Sequence, residues 1–102
     1  MNVHFAYVVY LLTFPNGKIY VGKDIGGTGH SIRYFGSWSN QLVEADFTKE
    51  ELSDLTIRKQ ILFESDDKVQ VNRKEVEFIR ALNSADPSTG YNQWPRKRAD
   101  GV

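Results

Sequence analysis

Lys18-Ile19-Tyr20-Val21-Gly22-Lys23 alternates apolar and polar side chains and ends in a glycine and a cation. Upstream lies a second apolar-rich run, Tyr7-Val8-Val9-Tyr10-Leu11-Leu12, joined to the first through Pro15-Asn16-Gly17. Two such runs about an Asn-Gly turn predict a β-hairpin. On the return strand, Lys18 to Lys23, period-two alternation puts Ile19 and Val21 on one face and Tyr20 on the other. Gly22 permits close backbone approach or an unusual φ. Tyr10 and Tyr20 stand ten residues apart across the turn. Whether they are core or chemistry decides what the chain does.

The first strand, Phe5 to Thr13, has a near-continuous apolar centre and is expected to be buried on both faces. Asp24 to Gly29 is a glycine-rich loop. It matches neither GxxxxGK[ST] nor GxGxxG, which favours a plain loop over a phosphate cradle. His30 to Trp38 gathers Tyr34, Phe35 and Trp38 around Arg33, and Gly36 argues against a long helix there. Ser39 to Asp46 continues as helix, with Leu42, Val43 and Ala45 expected to pack inward. Thr48 followed by Glu51 is a capping box opening a short helical turn. Leu55 to Phe63 reads as a third strand, with Leu55, Ile57, Ile61 and Phe63 in alternation broken at Lys59. Ser65-Asp66-Asp67 caps a helix running to about Asn83. Asp86 to Gly90 is a loop leading to Tyr91-Asn92-Gln93-Trp94, and Arg96-Lys97-Arg98 mark a basic tail. Tyr34, Phe35, Trp38 and Trp94 read as core, with base stacking as the other option for the two tryptophans. The fold class is α+β, a small three-stranded antiparallel sheet flanked by helices in the order β-β-α-β-α. Residues 1–95 form the domain and 96–102 the tail.

The chain has 102 residues, enough for one domain with one modest core. Hydrophobic residues make up 40% and aromatics 13%, which excludes a disordered chain. Thirteen basic and thirteen acidic residues cancel. A nucleic-acid site would therefore need local segregation of charge. There is no cysteine, which excludes disulfides, thiolate metal sites and cysteine nucleophiles. His4 and His30 are too few for a multi-histidine metal centre. With no run of transmembrane length and no signal-peptide pattern, the expected location is the cytoplasm and no membrane partner is expected.

The helix from Asp67 carries an anomaly. At about 100° per residue, Val71, Phe78 and Leu82 fall on one side of Glu75, and Ile79 and Val76 on the other. Arg73, Lys74, Glu77 and Arg80 occupy the opposite arc. Glu75 therefore sits within the apolar stripe, where a carboxylate is costly unless paired or coordinated. Either it is ion-paired, with Arg33, Lys23 or Lys59, or it is a metal ligand or acid/base group aimed into a cleft.

Taken together, these pieces resemble the GIY-YIG nuclease family. Val8-Val9-Tyr10 stands where Gly-Ile-Tyr is expected, with Val8 in place of the glycine, and Tyr20-Val21-Gly22 is the second motif. Arg33 fits the arginine that follows. Ser37 occupies the place where some members have a histidine, and His30 is the nearby imidazole. Arg73-Lys74-Glu75-Val76-Glu77-Phe78-Ile79-Arg80-Ala81-Leu82-Asn83 resembles the helix that holds the family's metal-binding glutamate, which would be Glu75. Gly90-Tyr91-Asn92 matches the closing motif. The resemblance spans about residues 5 to 94.

The resemblance implies a DNA endonuclease that hydrolyses phosphodiester bonds, by nicking or double-strand cleavage, with one Mg²⁺ (or Mn²⁺) on Glu75. Tyr10 or Tyr20 would position and deprotonate the attacking water, with Tyr10 slightly favoured. A free phenol has a pKa of about 10, so a nearby cation would help, and Lys23 is the candidate. It reaches Tyr20 only if the strand bends at Gly22; otherwise Lys23 contacts phosphate or is a surface lysine. Arg33 would bind the phosphate and offset transition-state charge. Asn92 would donate to the site or brace the glutamate helix. Gly22, Lys23, Arg33 and Ser37 are the expected substrate contacts, and His30 an accessory catalytic group. Lys18, Lys59 and the tail add basic charge. DNA is the expected partner, with a targeting protein or self-association supplying specificity. Freestanding copies of this kind are common in phages and mobile elements. The rival readings are an inactive nucleic-acid-binding module and a small protein-interaction domain that share the fold.

Overall fold

The computed structural model describes residues 6–26, 36 and 38–94. His30, Arg33, Tyr34, Phe35, Ser37 and the basic tail lie outside the described residues. The element order is β1 (Tyr7–Thr13), β2 (Ile19–Asp24), α1 (Asn40–Glu44), α2 (Lys49–Ser53), β3 (Arg58–Ser65) and α3 (Lys68–Leu82). The three strands form one antiparallel sheet in the order β2-β1-β3. This is the α+β architecture expected from the pattern of elements.

The hairpin closes through a longer turn than a two-residue loop. Gly17 N–H donates to the Phe14 carbonyl at 2.9 Å, and Phe14 N–H to the Lys18 carbonyl at 2.9 Å. Pro15 pre-sets the first turn position, and Gly17 takes a positive φ of 86°. Asn16 Oδ1 accepts from Lys18 N–H at 3.0 Å, which locks the corner. The result is a type I turn followed by a left-handed glycine, the usual three-residue hairpin solution.

β1 is the central strand, and its alternation feeds two cores. Val9 faces α3 and joins Val21, Val71 and Ile79, with Leu11 and Phe63 alongside. Val8, Tyr10, Leu12 and Phe14 face the other way and join Val43 and Tyr91, with Tyr20, Trp38 and Ile61 against them. The expected burial of β1 on both faces is therefore observed. Val71 and Ile79 are the buried residues of α3. Burying each contributes about 1.5–3 kcal/mol, enough to dock a fifteen-residue helix that would be marginal alone.

β3 differs from its expected form. It begins at Arg58 rather than Leu55 and runs on to Ser65. Val9 pairs with Phe63 while the next residue, Tyr10, pairs with Ile61. Leu62 is thus an extra residue, a β-bulge that changes the phase of the strand. Ile61 consequently faces the tyrosine side and Phe63 the α3 side, so the alternation expected to continue through both does not hold.

The helices start where the capping residues predict. Thr48 and Glu51 form both halves of a capping box on α2. Asp67 caps α3 by accepting from Val69 N–H at 2.9 Å. Asn83 ends it in the left-handed conformation, with Ser84 N–H returning to the Ile79 carbonyl at 3.1 Å. Within α1, Val43 is buried, but Leu42 and Ala45 are exposed, contrary to expectation. A helix of five residues presents too little surface to bury three side chains. Leu82, the last residue of α3, also lies partly in solvent.

Candidate functional site

The two hairpin tyrosines lie on one face of the sheet, because Tyr10 pairs with Gly22 and Tyr20 with Leu12. The Tyr10 ring covers Gly22: a Cβ there would sit 2.3 Å from Tyr10 Oη and 2.4 Å from its Cζ. Glycine at this position is therefore required by close approach. Gly36 closes on the same point, with a φ of 99° and a virtual Cβ 2.5 Å from Tyr10 Oη and 3.0 Å from Tyr20 Cε2. The Tyr10 hydroxyl and the Tyr20 ring thus converge on Gly36. Tyr10 is only 1% exposed, whereas Tyr20 is half-buried and opens to a cleft.

That cleft, about 240 Å³, is lined by Tyr20, Trp38, Glu75, Asn92, Gln93 and Trp94, among others. Tyr20 reaches it from the aromatic face and Glu75 from α3, which packs on the opposite face. Because β2 is an edge strand, the two side chains meet around its rim. Glu75 is half-buried, and burial holds its carboxyl above the usual carboxylate range, with Lys23 partly offsetting the effect. Its nearest cation among the described residues is Lys23 Nζ at 3.9 Å. It receives no hydrogen bond among the described residues. Of the candidate cations among the described residues, Lys23 and Lys59, it is Lys23 that approaches Glu75; Arg33 lies outside them.

Lys23 lies opposite Val9, on the α3 face. There it hydrogen-bonds Asn72 Oδ1 and approaches Glu75. The strand does not bend at Gly22 to bring Lys23 round to Tyr20. Alternation holds, and the lysine serves the carboxylate side.

Asn92 clamps the outer edge of β2. Its Oδ1 accepts from Val21 N–H at 2.8 Å, and its Nδ2 donates to the Val21 carbonyl at 2.8 Å. The expectation was a donor to the site or a brace for the glutamate helix. Asn92 N–H also donates to the Ser84 carbonyl, just past the end of α3, at 3.0 Å, so Asn92 links the glutamate helix to β2 and stands in for the strand that β2 lacks. Just before it, Ile19 N–H donates to the Thr89 carbonyl at 3.1 Å, and Tyr91 N–H to the Ile19 carbonyl at 2.9 Å. The segment 89–92 thereby seals the edge.

Tyr91 anchors the same segment. Its hydroxyl donates to Asp46 Oδ2 at 2.7 Å and accepts from Asn16 Nδ2 at 2.9 Å. Lys18 Nζ reaches the same Asp46 oxygen at 2.7 Å. The bonds from Lys18 and Tyr91 hold Asp46 below its ordinary pKa. The Tyr91 phenol is pushed up to about 12, by burial first and then by Asp46, against the bond from Asn16. Lys18 is thus tied into structure rather than held ready for phosphate.

Lys59, a candidate partner for Glu75 in the sequence, lies against Tyr10 instead. Its ammonium lies 4.6 Å from the centroid of the Tyr10 ring. Burial holds its pKa below that of an ordinary lysine, with buried Asp24 opposing. The signal was present in the sequence as the lysine that interrupts the apolar alternation of β3.

Trp38 is half-buried, edge-on to Phe14 at 5.4 Å and to Tyr20 at 6.2 Å between ring centroids. Trp94 is 67% exposed and is not a core residue. It follows the edge-sealing segment and lines the cleft with Tyr20. No helix among the described residues is long and apolar enough to cross a membrane. Comparison with known protein families, curated proteins and solved structures returns no significant match.

Proposed function

We propose that the protein is a GIY-YIG-type DNA endonuclease hydrolysing phosphodiester bonds. One observation carries the reading. Glu75, a half-buried carboxylate without a hydrogen bond among the described residues, shares a cleft with the phenol of Tyr20. A carboxylate aimed into such a cleft is costly for a purely structural domain and useful to a phosphoryl-transfer site.

The donor set fits a hard divalent cation. Among the described residues there is no group of three or more His, Cys, Asp or Glu that could hold a metal by itself. Mg²⁺ accepts one carboxylate and completes its shell with water and substrate phosphate. Glu75 would hold Mg²⁺ or Mn²⁺, which when bound supplies Lewis-acid activation of the scissile phosphate.

The chain's own groups then divide the remaining work. Tyr20, in the cleft wall, positions the attacking water and, in its phenolate form, takes its proton. Tyr10, buried against Gly22 and Gly36, fixes the orientation of its neighbour from behind. Lys23 tempers the charge on Glu75 and keeps it ionised near neutral pH. Asn92 holds β2, and with it Tyr20, at a fixed distance from α3. Arg33 is assigned to the phosphate by its place in the motif.

Supercoiled plasmid nicking tests the proposal. Purified protein should convert it to open circle with Mg²⁺ or Mn²⁺ and stop on chelation. Glu75→Gln and Tyr20→Phe should each lose about 100-fold or more in rate. Wild-type inactivity with both metals on supercoiled, linear and branched DNA would overturn the enzyme reading. Full activity of Glu75→Gln would overturn the metal assignment alone.

A further inference from the structure

Trp94 is the most exposed tryptophan in the described structure, yet it stands at a cleft rather than on open surface. An indole left in water beside a concave wall is a ready partner for another flat ring. Trp38 lines the same cleft, its ring packed edge-on to Phe14 and Tyr20. Gln93 lines it too, exposed and with its side chain making no hydrogen bond among the described residues. The neighbouring amide, Asn92, is already committed to both backbone groups of Val21. The cleft therefore offers aromatic surface, one free amide able to donate and accept, and Glu75 within the same 240 Å³ space.

We propose that Trp94, with Trp38 and Gln93, forms a subsite for an unpaired nucleobase. A base presents a π-face to stack on the indole and an edge of donors and acceptors for the amide. A base within a duplex has both faces covered by its neighbours and its pairing edge taken, so it cannot enter. The substrate class is therefore DNA with at least one unpaired nucleotide: a single strand, a flap or a locally opened duplex. That the phosphate beside this base is the one cleaved rests on the endonuclease reading given above; binding of the base does not.

Fluorescence separates the two. In Trp38→Phe, Trp94 is the sole tryptophan. Titration of this variant, in chelator and without cleavage, with a twelve-nucleotide thymidine oligonucleotide should quench the emission to saturation. A blunt hairpin duplex should leave it nearly unchanged. In the wild-type background, Trp94→Ala should weaken binding of the oligonucleotide by about 5- to 150-fold, the range for loss of one base–aromatic stack, while Trp94→Phe should stay within a few-fold of wild type. Equal quenching by duplex and single strand, or unchanged affinity in Trp94→Ala, overturns the subsite. Binding of an aromatic peptide with no response to the oligonucleotide also overturns it, in favour of a protein-docking cleft. Selective quenching in a protein that nicks no DNA would leave the subsite standing and remove the nuclease. Plasmid nicking at wild-type rate by Trp94→Ala, with its oligonucleotide affinity unchanged, would do the reverse.

Discussion

The two faces of the sheet solve opposite problems. The α3 face is aliphatic: Val9 and Val21 meet Val71 and Ile79, and its polar rim holds Lys23, Asn72 and an under-bonded Glu75. The other face is aromatic: Tyr10, Phe14, Tyr20, Trp38 and Tyr91 pack together. There the Tyr91 hydroxyl is bonded on both sides, by Asp46 and Asn16. One face thus leaves its carboxylate with a single distant ion pair and no hydrogen bond among the described residues, and the other carries its polar groups within a network. The two come together only around the edge of β2. The comparison teaches that β2 and its seal, rather than either core, set the geometry of the cleft.

The severest way to break this arrangement is at the seal. Asn92→Asp keeps the size of the side chain but replaces the donor to the Val21 carbonyl with a carboxylate oxygen. A buried acceptor then faces an acceptor, and stability should fall by about 3 kcal/mol. Burial raises the pKa of such a carboxyl, and its protonated form regains a donor. The deficit should therefore shrink as pH is lowered, which urea titrations at several pH values would read. A loss below about 0.5 kcal/mol at neutral pH would mean that backbone bonds alone hold the edge.

Gly22→Ala breaks the aromatic face instead. The new methyl group would overlap the Tyr10 ring, and overpacking of this kind costs about 1–3 kcal/mol. Adding Tyr10→Phe removes the hydroxyl but leaves the ring carbon at 2.4 Å, so the double variant should recover only a small part of the loss. Full recovery would show that the hydroxyl alone makes the contact. α3-face packing should be untouched in both variants, which the methyl NMR signals of Val71 and Ile79 would report.

Tyr91→Phe tests whether the aromatic face depends on its network. Water can reach Asn16 and Asp46 once the hydroxyl is gone, so the cost should be about 1 kcal/mol. The pH dependence carries the sign. The folded phenol titrates at about 12, above the value near 10 of an unfolded tyrosine. The wild-type protein should therefore lose this part of its stability as pH rises from about 10 to about 12. Tyr91→Phe has no such loss, and the gap between the two proteins should close over that window.

Much of the arrangement was legible before any coordinates. The hairpin, the capping box at Thr48, the cap at Asp67 and the inward Glu75 follow from local chemistry and periodicity. The bulge at Leu62 did not, because a phase change depends on the partner strand and not on β3's own residues. The bonds from Asn92 to Val21 are not legible either, for a similar reason. Nothing local says that an asparagine will meet the backbone of a strand seventy-one residues away. Alternation leaves open only whether a bend at Gly22 brings Lys23 round to Tyr20; it does not, and the glycine between them serves ring packing. Trp94 was misassigned because aromatic type predicts burial on average, while exposure depends on where the chain leaves the sheet.

The mildest test falls on the α3 face. Burial holds the Glu75 carboxyl above its ordinary value of 4.5 in the folded protein. Above that ordinary value the unfolded chain releases its proton while the folded protein still keeps it. Stability therefore declines as pH rises from about 4.5 through the folded value, then stays level. Glu75→Gln never carries the charge and should be the more stable protein at pH 7, by about 1–3 °C in Tm. At pH below 4 the two should melt together, both side chains being neutral. Millimolar Mg²⁺ should then reverse the order at pH 7 by raising the Tm of the wild type and not of the variant. If Gln is stabilising and Mg²⁺ changes neither protein, Glu75 is a strained carboxylate with Lys23 as its partner, and the difference between the two faces is one of packing alone. A Mg²⁺ response confined to the wild type would instead mean that the strain on the aliphatic face is kept for the cation.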